Sequence, residues 1–302
     1  GHGMGAFDKD FAYENYLHQK TEKLVCKNFL FSPPTRFGKR YYSQIKKNEK
    51  ISCYLNASLK ELRGSGTIQE AIVLDENLIE HNVQASRHVL AMGGIENARV
   101  LLHHDIGNQN KFVGRCFSDH LGTMIGEAMV GPENRYYYHR IESNGRSMNI
   151  LPHLSFSDDF MQELNVKNFG IIMKTSGRKD KATDTSVRRM LEKANRGAEK
   201  VYCLVRMENT PNSESRVLLS DEKDINGMRK TIIDWRVNRD DFVSPEVIGK
   251  ALIPILGANN CRLKLQIDHL KDRQPKCSYQ AHHMGTTRMS DDPAFGVVDQ
   301  NL

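Results

Sequence analysis

The chain has 302 residues, of which 39% are hydrophobic and 26% charged, the composition of a globular protein with room for one large or two moderate domains. No apolar run approaches the roughly 20 residues of a membrane-spanning helix, and the first ten residues lack the apolar core of a signal peptide. We therefore expect a cytoplasmic protein without a membrane span, unless an export signal lies upstream of this sequence.

The net charge of +6 raises the question of an anionic partner. Much of the excess falls in one polar stretch, which contains Lys174, Arg178, Lys179, Lys181, Arg188, Arg189, Lys193, Arg196 and Lys200. Nucleic-acid-binding surfaces combine basic residues with aromatic side chains that stack on bases, and this stretch has no aromatic residue before Tyr202. We interpret it as a solvated face of helix and loop, and we predict no nucleic-acid partner.

Six cysteines are scattered along the chain without a CxxC pair or any spacing typical of zinc ligands. We expect them to be reduced and mostly buried. The adjacent His282 and His283 are also poor metal ligands, because neighbouring side chains in an extended or turn backbone point to different sides. We predict no metal site.

The first elements along the chain are predicted to be a hairpin followed by a strand and a helix. Two apolar runs over 51–77 flank the GSGT turn at 64–67, which is typical of a β-hairpin. The run VQASRHVLAMGG (83–94) is predicted to be a third strand that ends in a Gly-Gly turn. A helix over 95–104 follows, with apolar residues at helical spacing at Ile95, Ala98, Leu101 and Leu102.

The segment from Met124 to Lys276 is richer in strands. Alternating apolar patterns predict strands at NILPHLSF, FGIIMKTS, KVYCLVRME, SRVLLSD and KTIIDWRV. A polar helical insert is expected over 180–198 and a helix over 244–258. Such a pattern indicates an antiparallel sheet that carries helices on one face.

Three pairs of residues are candidates for function on chemical grounds. Gly93 and Gly94 stand before a predicted helix, where backbone can approach a ligand closely, although a plain tight turn explains them as well. His103 and His104 close that helix, where the partial negative charge of the free carbonyls favours imidazole. Asp119 and His120 are neighbours that cannot easily hydrogen-bond as a catalytic pair, so a structural loop is favoured there.

The stretch HHMGTTRMSDDP (282–293) offers a fourth candidate. An imidazole beside a Gly-Thr turn, with an ordinary pKa of about 6.5, is mostly neutral at pH 7 and can accept a proton from a hydroxyl group. The residue types alone leave two interpretations open, a general base and a structural histidine.

Five stretches resemble, in this order, the glucose-methanol-choline (GMC) oxidoreductases, flavin enzymes that oxidise alcohols. They are SPPTRFGKRY (32–41), VLAMGGIENARVLL (89–102), VGRCFSDH (113–120), ENTPNSESRVLLSD (208–221) and HHMGTTRMSDDPAFGVVDQNL (282–302). The chain is most similar to the branch of sugar and polyol dehydrogenases and of pyranose oxidase. Five motifs in the family's order are far more specific than any one of them.

The resemblance implies an α/β fold for the parent enzyme and an α+β fold for this chain. We expect an incomplete FAD-binding Rossmann-like domain plus a substrate domain with an antiparallel sheet flanked by helices. Residues 32–123 would form the partial FAD-binding domain, and 124–276 the substrate-binding domain. Residues 277–302 would return to the FAD-binding domain with the His-x-x-Gly-Thr motif, and 1–31 would be a leader and tag remnant.

The resemblance also implies roles for single residues. His282 falls on the family's base, which takes the hydroxyl proton as hydride leaves the adjacent carbon for flavin N5. His283 and Thr286 would lie beside the substrate. The FAD-binding positions implied are Leu59, Gly93, Gly94, Asn97 and Asp299.

Two features of the family are not found in these 302 residues. No GxGxxG motif, which holds the ADP part of the flavin, occurs in the sequence, and family members continue beyond the position of Leu302 to a second catalytic residue. We therefore expect the chain alone to be colourless and inactive. An incomplete sheet exposes strand edges, so we expect a homodimer or a partner that supplies the missing segments.

Two functions consequently remain open. The first is FAD-dependent oxidation of a CH–OH group in a sugar, polyol or related alcohol. The second is a truncated, flavin-free homologue that binds a carbohydrate or a protein.

Overall fold

A computed structural model of the chain describes residues 21–31, 35–130, 139–143, 146–175, 199–258, 261–271, 277 and 280–302. The chain divides into two compact units. The first unit comprises residues 1–34, 120–209 and 239–280, and the second comprises residues 35–119, 210–238 and 281–302. The helical insert predicted over 180–198 lies outside the described residues.

The described residues form strands and helices in both units. The strands are β1 (Leu24–Phe31), β2 (Ser58–Arg63), β3 (Glu70–Leu74), β4 (Glu80–Gln84), β5 (Leu121–Val130), β6 (His139–Ser143), β7 (Arg146–Phe156), β8 (Phe169–Thr175), β9 (Glu199–Met207), β10 (Arg216–Lys223), β11 (Arg229–Asp234) and β12 (Arg262–Leu265). The helices are α1 (Phe37–Lys47), α2 (Gly93–His103), α3 (Asp158–Glu163) and α4 (Arg239–Ala258). Short 3-10 helices lie at Asp268–Lys271 and Pro293–Phe295.

The first unit is built on one antiparallel sheet. Its strand order is β1-β7-β8-β9-β5-β12, and β6 pairs with β7. The Phe156 ring at the end of β7 is fully buried and lies 4.9 Å from the Phe160 ring and 5.1 Å from the Phe169 ring, centroid to centroid. Aromatic burial of this kind dominates the energetics of a core.

Helix α4 packs on β5 and β12 of this sheet, with Ile248 and Leu252 fully buried on its apolar face. It begins at Arg239, five residues before the predicted start at 244. A proline is most common in the first turn of a helix because it has no N–H to donate. In the structure Pro245 lies inside the helix.

The second unit contains a three-stranded meander and a separate hairpin. Strands β2, β3 and β4 pair in that order, and β10 pairs with β11, all antiparallel. Helix α2 packs on β10 and β11. The buried cluster between these elements consists of Ala98, Val113, Phe117 and Val217, with Ile95, Leu101, Leu102, Trp235 and Val297 packed against it. The apolar face predicted for this helix is therefore its packing face.

Arg99 holds α2 to the turn between β10 and β11. Its guanidinium donates to the Asp224 carboxylate at 2.6 Å and to the Arg229 carbonyl at 2.8 Å. Partial burial opposes ionisation of Asp224, but the hydrogen bonds from Arg99 and from the Met228 backbone outweigh it, so the pKa of Asp224 lies below its ordinary value. The hairpin is thus fixed to α2 by charge as well as by packing.

The strand predicted at 83–94 is wrong beyond Gln84. β4 ends there, and the following residues make a loop whose backbone is held by a side chain rather than by a neighbouring strand. Asn97 accepts a hydrogen bond from the Met92 amide at 2.9 Å and donates one to the Leu90 carbonyl at 3.1 Å. The first strand of the predicted hairpin is also shorter than expected, because β2 begins only at Ser58.

The fold is α+β with antiparallel sheets, as predicted. The hairpin segment 210–238, which the sequence interpretation includes in a substrate domain over 124–276, packs in the second unit. Residues Leu24–Phe31, within the stretch interpreted as a leader, form β1 and pair with β7. No described helix has both the length and the apolar character needed to cross a bilayer.

Candidate functional site

The start of the His-x-x-Gly-Thr stretch is held by a buried carboxylate. Asp119 is only 4% exposed, and its two oxygens accept hydrogen bonds from the backbone amides of Ala281 at 2.9 Å and His282 at 3.1 Å. Hydrogen bonds to a carboxylate are stronger than those between neutral groups. The backbone at the candidate base is therefore anchored by a residue 163 positions earlier in the chain.

The next residues form a short antiparallel bridge with the segment before Asp119. Ser118 and Met284 exchange two backbone hydrogen bonds, each of 3.0 Å. Gly285 follows with φ of +91°, and a Cβ at this position would lie 2.0 Å from the Cys116 carbonyl oxygen. Only glycine permits this backbone conformation and this approach together.

Thr286 connects the His-x-x-Gly-Thr stretch to the start of α2 by a hydrogen bond. It is 1% exposed, and its hydroxyl donates a short hydrogen bond to the Gly94 carbonyl. Its own carbonyl accepts from the Gly114 amide at 2.9 Å. A Cβ on Gly94 would lie 3.0 Å from the His283 carbonyl oxygen, so the two stretches touch through their backbones.

Helix α2 begins at Gly93 itself rather than after a Gly-Gly turn. Gly93 has φ of +87°, and a Cβ there would meet no atom within 4 Å. The side chain of the N-cap residue, Met92, makes no capping hydrogen bond. The first amides of α2 therefore carry the partial positive charge of a helix N-terminus beside open space.

His282 and His283 are both exposed. The ring of His283 packs on Phe117, with the ring centroids 5.4 Å apart. Phe117 is buried and contacts Trp235 edge-on at 6.1 Å between centroids. His283 thus lies over the hydrophobic cluster of the second unit.

The other two predicted cofactor residues lie apart from this group of contacts. Leu59 is half-buried in β2 and pairs with Val73. Asp299 is exposed, and its carboxylate accepts from the Asn301 amide at 2.8 Å. Among the residues that the structure describes, no hydrogen bond ties Leu59 or Asp299 to Gly94 or Thr286.

His103 and His104 do not behave as charged partners of a helix C-terminus. They line a cavity of about 220 Å³ together with Lys60, Glu61 and the turn Asn226–Met228. Burial, reinforced by nearby Arg99 for His103 and by His103 for His104, lowers the pKa of both imidazoles. Nδ1 of His103 and Nε2 of His104 are buried without a hydrogen-bond partner in the described part of the chain, which favours the neutral form of both rings.

The six cysteines differ in burial: three are buried, two are half-buried and one is exposed. None of them forms a disulfide, and the buried ones are Cys116, Cys203 and Cys261. Burial raises the pKa of the Cys26 and Cys203 thiols to about 12. Within the described ranges, no cluster of three or more histidine, cysteine, aspartate or glutamate side chains could hold a metal ion.

Asp119 is the residue whose importance the sequence interpretation underestimates. The VGRCFSDH motif (113–120) marked it, but the expected role was a structural loop of its own. Sequence spacing cannot show that this carboxylate reaches the backbone of His282. The only signal in the sequence is the joint presence of both motifs in the order typical of the GMC family.

Comparisons with known proteins found one family match and several similar solved structures. Residues 211–302 match the family model described as GMC oxidoreductase. A formate oxidase structure shares 13% identity, with coverage of 84% of this chain and 54% of the other and a TM-score of 0.48. Two structures on the effect of mutation on FAD modification in Aspergillus oryzae RIB40 formate oxidase share 14% identity at the same coverage, with TM-scores of 0.48 and 0.49.

This chain therefore spans about half the length of those solved structures. No curated protein matches the sequence. The family match contains both the β10–β11 hairpin and the stretch that begins at His282. Residues 211–302 are thus similar to the GMC oxidoreductase family, as their sequence motifs predict.

Proposed function

We propose that this chain is part of an FAD-dependent oxidoreductase that oxidises a CH–OH group of a sugar, polyol or related alcohol, with His282 as the base. The observation that carries the proposal is the contact between Thr286 and Gly94, which joins the family's histidine motif to its flavin-side glycines. The family match over residues 211–302 supports the same reaction class.

The residues at this contact have properties that suit the edge of a flavin. The start of α2 has no capping hydrogen bond from its N-cap side chain, Met92, and a Cβ at Gly93 would meet open space. Helix N-termini favour electron-rich groups. His282 and His283 are exposed next to this turn in the fold, so an alcohol could reach them. A bound flavin would supply the hydride acceptor.

The protein's own part in the reaction is to position the alcohol and to remove its proton. A neutral imidazole at His282 accepts the hydroxyl proton, and the oxygen that loses it pushes electron density onto its carbon. That carbon then becomes a better hydride donor. His283, packed on Phe117, would border the substrate. Thr286 is buried, and its hydrogen bond to the Gly94 carbonyl would stabilise the turn.

FAD binding needs more than these residues. The sequence contains no GxGxxG motif for the pyrophosphate, so we propose that this chain alone does not retain FAD tightly. The remaining flavin contacts would come from further segments of the same polypeptide, from a partner, or from a second copy in a homodimer.

The test uses the full polypeptide that the gene encodes, alongside the present chain. Each is mixed with FAD and gel-filtered, and the visible absorbance of bound flavin is followed under anaerobic conditions after addition of glucose, sorbitol or glycerol. We expect flavin to be retained and then bleached by at least one alcohol in the full polypeptide. A colourless, inert full polypeptide would refute the enzyme and favour a flavin-free binding module.

A further inference from the structure

The segment 116–119 holds the backbone of 281–285 through a continuous set of contacts. Asp119 binds the Ala281 and His282 amides, Ser118 pairs with Met284, and Gly285 lies against the Cys116 carbonyl. Of these contacts, only the Asp119 carboxylate acts directly on the backbone of His282. It is also the only charged side chain among them.

A carboxylate is the side chain that suits this position. It has two acceptor oxygens and no donor, and here each oxygen faces one backbone N–H. An asparagine of the same shape could accept a hydrogen bond from only one of the two amides. Its NH₂ group would face the other backbone N–H, and two donors cannot form a hydrogen bond with each other. The site is 4% exposed, so water cannot readily replace the lost bond.

We infer that Asp119 is the positioning residue of the candidate base. Its carboxylate fixes the backbone at Ala281 and His282, and thereby the point from which the His282 imidazole extends. This inference rests on the proposed function for its catalytic consequence. The anchoring itself can be tested without flavin.

The first test is hydrogen exchange by NMR on the chain as it stands. In the unmodified chain, the Ala281 and His282 amides should exchange as slowly as the Met284 amide, which is bound to the Ser118 carbonyl. Exchange of both at the rate of exposed loop amides would overturn the inference without any substitution. This measurement remains decisive even if variants at Asp119 fold poorly.

The second test compares Asp119→Asn with Asp75→Asn. Asp75 also accepts two backbone amides, those of Asn77 and Ile79, but it lies in the turn between β3 and β4. We expect Asp119→Asn to shift the amide resonances of Ala281 and His282 and to accelerate their exchange, whereas Asp75→Asn leaves them unchanged. Unchanged resonances in Asp119→Asn would contradict the anchoring.

The third test measures flavin reduction in the FAD-loaded full polypeptide. Misplacement of a catalytic group by about 1 Å costs on the order of 100-fold in rate. We therefore expect Asp119→Asn to lower the limiting rate by about that factor, while the FAD affinity and the half-saturating alcohol concentration stay within about twofold. A general loss of structure would instead weaken FAD binding and raise the half-saturation value.

The two proposals fail in different ways. If His282→Gln reduces flavin normally, the base assignment fails whatever Asp119 does. If His282→Gln is inactive while Asp119→Asn keeps the unmodified limiting rate, the base stands and the role of Asp119 is refuted.

Discussion

Replacement of Gly285 by alanine is the strictest test of the backbone contacts of the turn that follows His282 and His283. The new Cβ would lie 2.0 Å from the Cys116 carbonyl oxygen, whereas real Cβ atoms essentially never approach another heavy atom within 3.0 Å. The two backbones must therefore separate by about 1 Å, the difference between those two distances. The adjoining Ser118–Met284 bridge would be disrupted by such a shift.

The expected loss of stability has two parts. An alanine with φ of +91° costs about 1–2 kcal/mol, and the two bridge hydrogen bonds contribute about 1 kcal/mol each. Gly285→Ala should therefore reduce the free energy of unfolding by about 3–4 kcal/mol. Gly227→Ala is a matched control, because Gly227 has φ of +79° but its Cβ would meet no atom within 4 Å. It should cost only about 1–2 kcal/mol.

The assay is urea unfolding followed by tryptophan fluorescence. The chain contains a single tryptophan, Trp235, which lies against Phe117 in the second unit and so reports on the unit that contains both glycines. A loss in Gly285→Ala no greater than that in Gly227→Ala would refute the close approach at Cys116.

Three further predictions concern other parts of the chain. Phe156→Ala should lower the free energy of unfolding by about 3–5 kcal/mol, while Phe295→Ala, at a position 62% exposed, should stay within about 0.5 kcal/mol; equal losses in denaturant unfolding would contradict the aromatic core. The pKa of Asp224 is lower in the folded state than in the unfolded state, so its contribution is present above its unfolded pKa of about 3.9 and is lost as pH falls through the folded pKa. Asp224→Asn should therefore flatten the stability curve below about pH 4, and an unchanged acid slope would count against the ion pair. With a thiol-reactive disulfide reagent at pH 8, exposed Cys53 should react first. Buried Cys203, whose thiol pKa is raised to about 12, should react only after unfolding. Rapid reaction of Cys203 in the folded protein would contradict its burial.

The sequence was sufficient for elements whose signal is local. Helix α2 followed from the spacing of Ile95, Ala98 and Leu101, and the structure buries or half-buries all three. Strands β10 and β11 followed from two alternating runs, whereas their pairing is seen only in the structure. The functional interpretation of His282 depended on motif resemblance, because the spacing of two adjacent histidines does not indicate which chemical role either of them has.

The rest depended on contacts between distant residues. The extended run after Gln84 is a loop in which Asn97 binds the Met92 amide and the Leu90 carbonyl, and no local pattern reveals these contacts. The lowered pKa of His103 and His104 comes from burial beside β2 and the Asn226–Met228 turn. The anchor of His282 at Asp119 joins residues 163 positions apart, a relation that only the folded chain shows.

The identity of the base is tested most directly by His282→Gln in the FAD-loaded full polypeptide, with His81→Gln as the control. His81 is an exposed histidine of β4 whose Nε2 lies 3.0 Å from Oδ2 of Asp75. Because no hydrogen bond or ion pair in the described part of the chain joins its side chain to the residues assigned to the site, its replacement should leave the rate unchanged. General-base catalysis contributes typically 10²–10⁴-fold, so we expect His282→Gln to retain bound FAD but to reduce it with alcohol about 10²–10⁴-fold more slowly. Reduction by His282→Gln at the unmodified rate would contradict the account.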